Sequence, residues 1–386
     1  MKFDTLAVQG GEFKDERIGN VVTPIFQNST FTNPNYDPDA YLDPTTGKPF
    51  LYSRWSNPTV ASLEEKYRLL EGSEKALAFS SGMGAISSTV IGLAQRGKKI
   101  AALRELYGQT YSFLLKDLAR AGFTVDFYSL DELNTQDINF DSYSLLFLES
   151  IVNPTLGVAD IEKIGKDCMD AGISMIVDAT FATPFNQKPF EFGASAVVHS
   201  ATKYLGGHSD IILGVGGFSK TVYPDVASVR KSYGASADPF QSYLALRGIK
   251  TLGLRMVRHN ESAHRIAKFL AEHPRVSNVY YPLTSEKYSG IARRVLRGGG
   301  GMVSFDVKGN TADARRFLTK LSIVHPAASL GGVESLATLP VDTSHSSMSR
   351  EERQTVGIND SMVRLSVGIE DVDDLIEDLD QALRAL

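Results

Sequence analysis

Short apolar runs alternate along the middle of the chain with segments whose apolar residues recur at helical spacing. In one such segment Val60, Leu63, Tyr67 and Leu70 follow each other every three or four positions, which predicts an amphipathic helix. Because strands buried on both faces read as continuous apolar runs, the alternation predicts a mainly parallel sheet covered by helices on both sides. The runs that predict strands lie at residues 75–80, 99–103, 124–128, 144–148, 173–177, 194–198 and 211–215.

The same pattern divides the chain into three regions. Residues 1–57 are rich in Asn, Pro, Asp and Thr and show little periodicity, which predicts an extended arm rather than a compact unit. Residues 58–250 carry the alternation and form the predicted α/β domain, and a long helical pattern over 240–271 leads out of it. Residues 251–386 predict a smaller α+β domain, with strands at 302–307 and 364–369 and helices at 312–321 and 372–386.

Composition narrows the functional classes. The 386 residues are 42% hydrophobic and 22% charged, as in a globular protein with a large core. The net charge of −5 and the lack of a basic run argue against nucleic-acid binding. No apolar stretch reaches the roughly 18 residues of a membrane span, and no secretory signal is evident, so we expect a cytoplasmic protein without a membrane partner. Cys168 is the only cysteine, which rules out an intrachain disulfide, and its amphipathic surroundings predict a core position.

A lysine beyond one predicted strand is the strongest candidate for chemistry. The run at 194–198 leads to Lys203, which is flanked by the hydroxyls of Ser200 and Thr202 and followed by a Gly-Gly turn at 206–207. Most lysines are merely solvated at the surface. A lysine that forms a Schiff base instead needs a pocket, a lowered pKa and a fixed position, which this setting could provide.

Two further strand ends carry suitable partners. The turn Ser81-Gly-Met-Gly84 joins a strand to a helix, where backbone N–H groups can bind an anion such as phosphate. Its spacing does not match the nucleoside-triphosphate or dinucleotide motifs. Asp178 ends an apolar strand, and a buried carboxylate there needs a partner, either a turn that it caps or a cationic ring nitrogen. Together with Lys203, these groups could hold the nitrogen, the aldehyde and the phosphate of a pyridine cofactor.

With these features, the chain resembles the γ-subfamily of fold-type I pyridoxal-phosphate enzymes of cysteine and methionine metabolism. This group includes cystathionine γ-synthase, cystathionine γ-lyase, methionine γ-lyase and the homoserine-ester sulfhydrylases. The resemblance implies a mostly parallel seven-stranded sheet covered by helices, plus a smaller C-terminal α+β domain. It covers nearly the whole chain and rests on nine segments, at 52–59, 81–84, 106–108, 149–154, 177–178, 200–210, 246–248, 329–335 and 364–370.

The resemblance also implies roles around pyridoxal 5'-phosphate (PLP). Lys203 would bind PLP covalently and, once freed by substrate, would move protons between the α and β carbons. Tyr107 would stack on the pyridine ring, and Asp178 would pair with its nitrogen, so these three are the predicted catalytic residues. Asn153 would donate to the ring hydroxyl oxygen. Further cofactor contacts are predicted for Ser81, Gly82, Met83, Ser200 and Thr202.

Other implied contacts concern the substrate and a second subunit. Tyr52 and Arg54 would cross to a neighbouring subunit and complete its phosphate site, within a homotetramer built from two dimers. Arg364 would clamp the substrate α-carboxylate, a bidentate task that suits arginine better than lysine. The remaining predicted substrate-binding residues are Ser329, Glu149 and Asn153.

The implied chemistry is γ-replacement or γ-elimination on sulfur amino acids or activated homoserine. Chain length and the Gly-Gly-Val-Glu-Ser335 continuation favour the cystathionine γ-synthase/γ-lyase type. Two departures mean that neither type fits fully: Ala328 replaces the glutamate usual in cystathionine-handling members, and Gln109 replaces the cysteine usual in efficient methionine γ-lyases. Methionine γ-lyase is therefore kept as the alternative. A homoserine-ester sulfhydrylase remains a further alternative, although such enzymes tend to carry insertions that are absent here.

Two other classes remain open at this point. His199, His208 and Asp210 could be ligands of a metal hydrolase, because imidazole and carboxylate groups are ordinary metal ligands. No helix of the H-E-x-x-H kind accompanies them, so we expect no metal site. A catalytically silent descendant of the fold is the second alternative, and the presence of Lys203 and Asp178 argues against it.

Overall fold

The computed structural model describes residues 1–32, 49–346 and 348–386. Within these residues the chain forms a seven-stranded and a five-stranded sheet, each with its own apolar core. No helix of the described part is long and apolar enough to span a membrane. The larger sheet contains β1 (Lys75–Phe79), β2 (Lys99–Leu103), β3 (Val125–Tyr128), β4 (Tyr143–Glu149), β5 (Ser174–Asp178), β6 (Ala196–Ser200) and β7 (Gly214–Phe218).

The order of the larger sheet is β1-β7-β6-β5-β4-β2-β3. The pairs from β3 to β6 are parallel, and β7 runs antiparallel to both β6 and β1. The prediction of a mostly parallel seven-stranded sheet is therefore confirmed. Since β4, β5 and β6 are parallel neighbours, their carboxyl ends meet at one edge of the sheet, where ligands of such folds bind.

Helices cover the larger sheet and pack against the smaller one. The first long helix shows why the boundaries lie where they do: the Asn57 side chain accepts from the Thr59 amide, Pro58 takes the first helical position, and Gly72 ends the helix with φ of 80°. In the described residues the α-helices are α1 (Phe3–Gln9), α2 (Pro58–Glu71), α3 (Gly82–Leu93), α4 (Gly108–Ser112), α5 (Leu118–Arg120), α6 (Leu130–Thr135), α7 (Ile161–Asp170), α8 (Thr183–Asn186), α9 (Tyr223–Tyr233), α10 (Pro239–Ile249), α11 (Leu252–Glu272), α12 (Ser289–Val295), α13 (Thr311–Leu318), α14 (Arg350–Thr355) and α15 (Val372–Arg384).

Three short helical turns complete this set within the described residues. A π-helical turn, Phe113–Asp117, joins α4 to α5, and 3₁₀ turns lie at Pro189–Phe192 and Pro340–Asp342. The smaller sheet has the order β10-β11-β12-β9-β8, and α11, α13 and α15 pack against it. Its strands are β8 (Val276–Tyr280), β9 (Met302–Val307), β10 (His325–Pro326), β11 (Leu336–Thr338) and β12 (Met362–Ser366).

Several elements differ from the pattern-based prediction. The helical pattern over 240–271 is two helices, α10 and α11, separated at Lys250 and Thr251. The last strand of the larger sheet begins at Gly214 rather than at Ile211, and the pattern did not predict β8, β10 or β11. The division of the chain at residues 57 and 250 stays a prediction.

The start of the N-terminal segment packs against helix α2 of the same chain. Helix α1 buries Ala7, and the fully buried Lys66 of α2 donates to the Ala7 carbonyl at 2.9 Å. Lys66 also lies 3.3 Å from the carboxylate of Glu12, which pairs with Lys250 at 2.8 Å. The sequence pattern did not predict this helix, because α1 is only seven residues long and too short to show a clear helical periodicity.

Candidate active site

A cavity of about 640 Å³ opens at the carboxyl ends of β4, β5 and β6. Its volume suits a small organic ligand or cofactor. The three strands end at Glu149, Asp178 and Ser200, and Glu149 lies opposite Asp178 in the pairing of β4 with β5. The cavity gathers twelve of the residues predicted above: Ser81, Gly82, Met83, Tyr107, Glu149, Asn153, Asp178, Ser200, Thr202, Lys203, Ser329 and Arg364.

Lys203 reaches into this cavity three residues after β6 ends. Its Nζ donates a hydrogen bond to Ser329 Oγ at 2.6 Å. Burial and the nearby charge of Arg364 lower the pKa of the amine to about 8, because both disfavour its protonated form. A lysine with this pKa has an appreciable neutral fraction near neutral pH, as a nucleophile or base requires.

Asp178 lies at the end of β5, which pairs with β6, the strand that leads to Lys203. Its Oδ1 accepts from the Thr180 amide at 2.9 Å and from the Thr180 hydroxyl at 2.5 Å. Burial raises the pKa of Asp178, while the two bonds from Thr180 oppose that rise. Both of the described bonds use Oδ1, so Oδ2 keeps its capacity to accept from a cationic donor.

Glu149 is a second buried carboxylate at this edge. It accepts from the Tyr107 amide at 2.6 Å and from the Asn153 amide at 3.2 Å. Burial and the charge of Asp178 raise the pKa of Glu149. The structure thus places Glu149 behind the loop that presents Tyr107, whose side chain is 42% exposed and lines the cavity.

Arg364 enters the cavity from the middle of β12 and is almost completely buried. Its Nη1 donates to Asn153 Oδ1 at 3.1 Å, and its Nη2 donates to the Ser329 carbonyl at 3.0 Å. Burial lowers the pKa of Arg364 to about 10, which still leaves it charged at neutral pH. Ser329 has a φ of 82°, a left-handed conformation that is costly for serine and is often found at functional sites.

The turn at Ser81 begins α3 and forms the other end of the cavity. Ser81 caps the helix by accepting from the Gly84 amide at 3.0 Å. A side chain at Gly82 would bring its Cβ to 2.8 Å from Ser200 Cβ, so the turn and the lysine loop can approach this closely only with glycine there. The first amides of this twelve-residue helix and the Ser200 hydroxyl offer donors for an anion.

Thr202 has a different local role from that of Ser200. Its Oγ1 accepts from the Leu213 amide at 3.0 Å and donates to the Leu213 carbonyl at 3.3 Å. These bonds fix the lysine loop against the start of β7. Any contact of Thr202 with a phosphate stays a prediction.

Tyr52 and Arg54 are the two predicted site residues outside this cavity. The Arg54 guanidinium lies 5.5 Å from the Tyr52 ring and donates to the Lys231 carbonyl at 2.6 Å. Tyr52 is 41% exposed. In one subunit the pair therefore lies apart from the residues that it was predicted to serve in another subunit.

The histidines weighed as metal ligands have other contacts. His199 lies 2.9 Å from Glu71, and both side chains are buried. His208 Nδ1 lies 2.8 Å from the Gly206 carbonyl. Over the described ranges, no three His, Cys, Asp or Glu side chains are grouped so that they could hold a metal ion.

The sequence reasoning missed part of the cavity wall. Thr180 was not among the predicted site residues, yet its hydroxyl donates to Asp178 Oδ1 and accepts from the Ser200 amide at 2.9 Å. An Asp-x-Thr spacing after a strand is a recognisable turn signal that could have revealed this contact. The other wall residues not singled out are Ile86, Ile151, Phe181, Ile212, Leu330, Thr343 and Ser344.

Comparison with known proteins places this site in a family. The family model of Cys/Met metabolism PLP-dependent enzymes matches residues 4–384. The chain belongs to this family. It is 39% identical to the L-methionine gamma-lyase of Pseudomonas putida, covering 99% of this chain and 97% of that protein. It is 40% identical to the cystathionine gamma-lyase of Bacillus subtilis, covering 99% of each. The structure of cystathionine gamma-lyase from Lactobacillus plantarum, 33% identical, superposes with a TM-score of 0.92 over 100% of this chain and 99% of that one.

The residues of this family member fit PLP. Lys203 has the lowered pKa of an amine that can attack an aldehyde, and Asp178 Oδ2 is available to a ring nitrogen. The half-exposed Tyr107 ring forms a wall against which a pyridine ring can stack. The amides at the start of α3, beside Gly82, are donors of the kind that can bind a phosphate.

Proposed function

We propose that the enzyme catalyses PLP-dependent γ-elimination or γ-replacement on sulfur amino acids, and that it is of the cystathionine γ-synthase/γ-lyase type. One observation carries the proposal: a single cavity holds Lys203, Asp178, Tyr107 and Arg364. These groups suit a cofactor aldehyde, a ring nitrogen, a ring face and a substrate carboxylate, in that order. The similarity to lyases over nearly the whole chain supports the same reaction class.

The cofactor end would be held by groups from three loops. Lys203 would bind PLP, Asp178 would keep its ring nitrogen protonated, and the amides of the Gly82 turn would bind its phosphate. Bound in this way, PLP supplies an electron sink that acidifies the α-carbon proton of an amino acid. Glu149 would fix the position of Tyr107 through the bond to its amide.

The substrate end would be arranged by Arg364 and Lys203. Asn153 and the Ser329 carbonyl hold the guanidinium from one side, so its remaining N–H groups can bind the α-carboxylate. Lys203 would take the α-proton at Nζ and return it at the β or γ carbon, and its lowered pKa suits both directions. Ser329 Oγ would orient the free amine between these steps.

Product analysis of the purified enzyme tests this proposal. We expect release of 2-oxobutyrate from cystathionine, or formation of cystathionine from an activated homoserine ester and cysteine. Release of pyruvate from cystathionine would instead show β-elimination. An enzyme without any of these activities, when saturated with PLP, would refute the proposal.

Methionine γ-lyase is the second candidate, because Ala328 lies in the cavity wall. With Leu330 and Ile212 it lines part of the wall with apolar side chains, which suit the uncharged methylthio group of methionine. Comparing kcat/KM for 2-oxobutyrate release from methionine and from cystathionine separates the two. A higher value for methionine would favour this candidate. A homoserine-ester sulfhydrylase would instead form homocysteine from the ester and sulfide.

We also propose a cytoplasmic homotetramer in which each arm serves a neighbouring subunit. The position of Tyr52 and Arg54 outside their own cavity supports exchange of the arms. Light scattering during gel filtration tests the assembly, and cell fractionation tests the location. A monomer with full PLP affinity would refute the arm exchange.

A further inference from the structure

A buried arginine fastens the arm segment 52–56 to its own subunit. Arg230 lies in the last turn of α9 and is 7% exposed. Its Nη2 donates to the Trp55 carbonyl at 3.0 Å. Its Nη1 donates to Glu64 Oε1 at 3.0 Å and to the Ala78 carbonyl at 2.9 Å. One guanidinium therefore joins the arm to α2 and β1.

The residues after Arg230 fix Arg54 at two points. The Lys231 carbonyl accepts from Arg54 Nη1 at 2.6 Å, and Ser236 Oγ donates to the Arg54 carbonyl at 2.8 Å. The Lys231 ammonium also lies 4.2 Å from the centre of the Trp55 ring, a favourable cation–π distance. Both the backbone and the side chain of Arg54 thus depend on where the end of α9 lies.

The same stretch, residues 230–236, also contacts the anion-binding turn of its own subunit. The Ala235 carbonyl accepts from the Ser80 amide at 3.1 Å, directly before Ser81. Ser236 pairs with Phe79 in an isolated bridge. The stretch therefore lies between a subunit's own turn and the arm that it offers to its neighbour.

We propose that Arg230 is a positioning residue for PLP binding in the neighbouring subunit, because it holds the arm so that Tyr52 and Arg54 can reach the neighbour's phosphate. This inference rests on the arm exchange in the proposed function. Arginine suits the task because its planar fork spans three acceptors, which the single ammonium of lysine cannot do. A purely structural Arg230 would affect the stability of its own subunit but not the neighbour's affinity for PLP.

Hybrids of two differently tagged chains test this inference. In the first hybrid, Arg230→Gln chains with an intact Lys203 are co-expressed with a large excess of Lys203→Ala chains, whose arms are intact. In the second hybrid, wild-type chains are co-expressed with a large excess of Lys203→Ala/Arg230→Gln chains. Borohydride can trap PLP only on the Lys203-bearing chain, so the PLP concentration for half-maximal trapping reports that chain's site.

The two hybrids are expected to differ. The first should resemble wild type because its live site receives an intact arm. In the second, the PLP concentration for half-maximal trapping should be at least about tenfold higher, as expected for loss of a hydrogen bond to a charged group. The reverse pattern would show that Arg230 acts on its own site and would overturn the inference, as would wild-type values in both. If Arg54→Ala in place of Arg230→Gln also acts on its own site, the arm exchange itself is wrong.

A second variant guards against misfolding, since Arg230→Gln leaves Glu64 without this partner. Trp55→Ala removes the arm's contact with Lys231 from a half-exposed position and should give the same pattern across the hybrids. Glu64→Gln is the matched control. It weakens the buried pair but leaves the Arg230 bond to the Trp55 carbonyl, so thermal stability should fall while PLP affinity stays near wild type.

Discussion

Replacing Arg364 by lysine is the most direct test of the proposed substrate site. In the structure Arg364 donates to Asn153 Oδ1 and to the Ser329 carbonyl, and its other N–H groups remain for a carboxylate. A lysine keeps the positive charge but has one ammonium on a linear stem. It cannot hold both protein acceptors and also bind a carboxylate in bidentate fashion.

The expected loss follows from the bonds that cannot form. A hydrogen bond to a charged group contributes about 1.5–3 kcal/mol. Losing one of the two bonds to the substrate carboxylate therefore lowers kcat/KM by about 10- to 150-fold. The carboxylate is bound in both the ground and the transition state, so most of the change should appear as a higher KM.

Steady-state kinetics with cystathionine and with methionine measure this effect, and PLP absorbance confirms that the cofactor is bound. Arg255→Lys is a matched control: Arg255 is also buried, donates to the Tyr204 carbonyl at 2.7 Å and to the Gly248 carbonyl at 2.8 Å, and does not line the cavity. It should lower thermal stability with little change in KM. If Arg364→Lys keeps kcat/KM within about threefold of wild type, the carboxylate clamp is wrong.

Further predictions concern the cofactor and the response to pH. Lys203→Ala should abolish turnover and borohydride trapping while circular dichroism stays native; residual turnover would exclude Lys203 as the essential base. Asp178→Asn should bind PLP but lower kcat by about a hundredfold or more, because the ring nitrogen loses its anionic partner; an unchanged kcat would contradict that pairing. Gly82→Ala should weaken PLP binding in an absorbance titration, because its Cβ would lie 2.8 Å from Ser200 Cβ; wild-type affinity would show that the turn does not bind the phosphate. Burial lowers the pKa of His259 and His345 to about 4, below their unfolded value, so the unfolded chain binds protons first as the pH falls. The free energy of unfolding should therefore be lower at pH 5 than above pH 6.5, by about 2 kcal/mol for each histidine. Urea unfolding of the wild type and of His259→Gln at pH 7 and at pH 5 measures this difference. An equal change in unfolding free energy in the two proteins would contradict the prediction.

The strands of the larger sheet were predictable where burial alone decides the pattern. Runs such as Lys99–Leu103 are buried beyond their first residue and therefore read as continuous apolar sequence. β7 was misplaced because its sequence, Gly-Val-Gly-Gly-Phe, has low strand propensity. A Cβ at Gly214 would lie 2.1 Å from the Ser81 carbonyl, and one at Gly217 would lie 2.8 Å from Ser73 Oγ. These positions require glycine because residues distant in sequence pack against them, and the local sequence pattern does not show such contacts.

The sequence indicated which polar residues form the site, but not which hydrogen bonds they make with one another. Asp178 and Lys203 follow apolar runs, so their place at the edge of the sheet follows from the fold. The bond from Lys203 to Ser329 spans 126 positions, and that from Arg364 to Asn153 spans 211. No periodicity connects positions so far apart; the resemblance to a family placed these residues in one site but did not predict the two bonds. Neither an apolar run nor the family resemblance pointed to Arg230, whose partners are backbone carbonyls and one buried glutamate.

Because these bonds join residues of the two sheets, the geometry of the site depends on how the two sheets pack together. Lys203 and Asn153 follow strands of the larger sheet, whereas Arg364 lies in the smaller sheet and Ser329 lies between two of its strands. Since hydrogen-bond lengths vary by only about half an ångström, a shift of one sheet against the other by an ångström would break both bonds together. The same shift would move the carboxylate clamp away from the amine that takes the α-proton. Substrate binding and proton transfer are therefore coupled through one rigid contact, and substitutions that loosen it should impair both steps together.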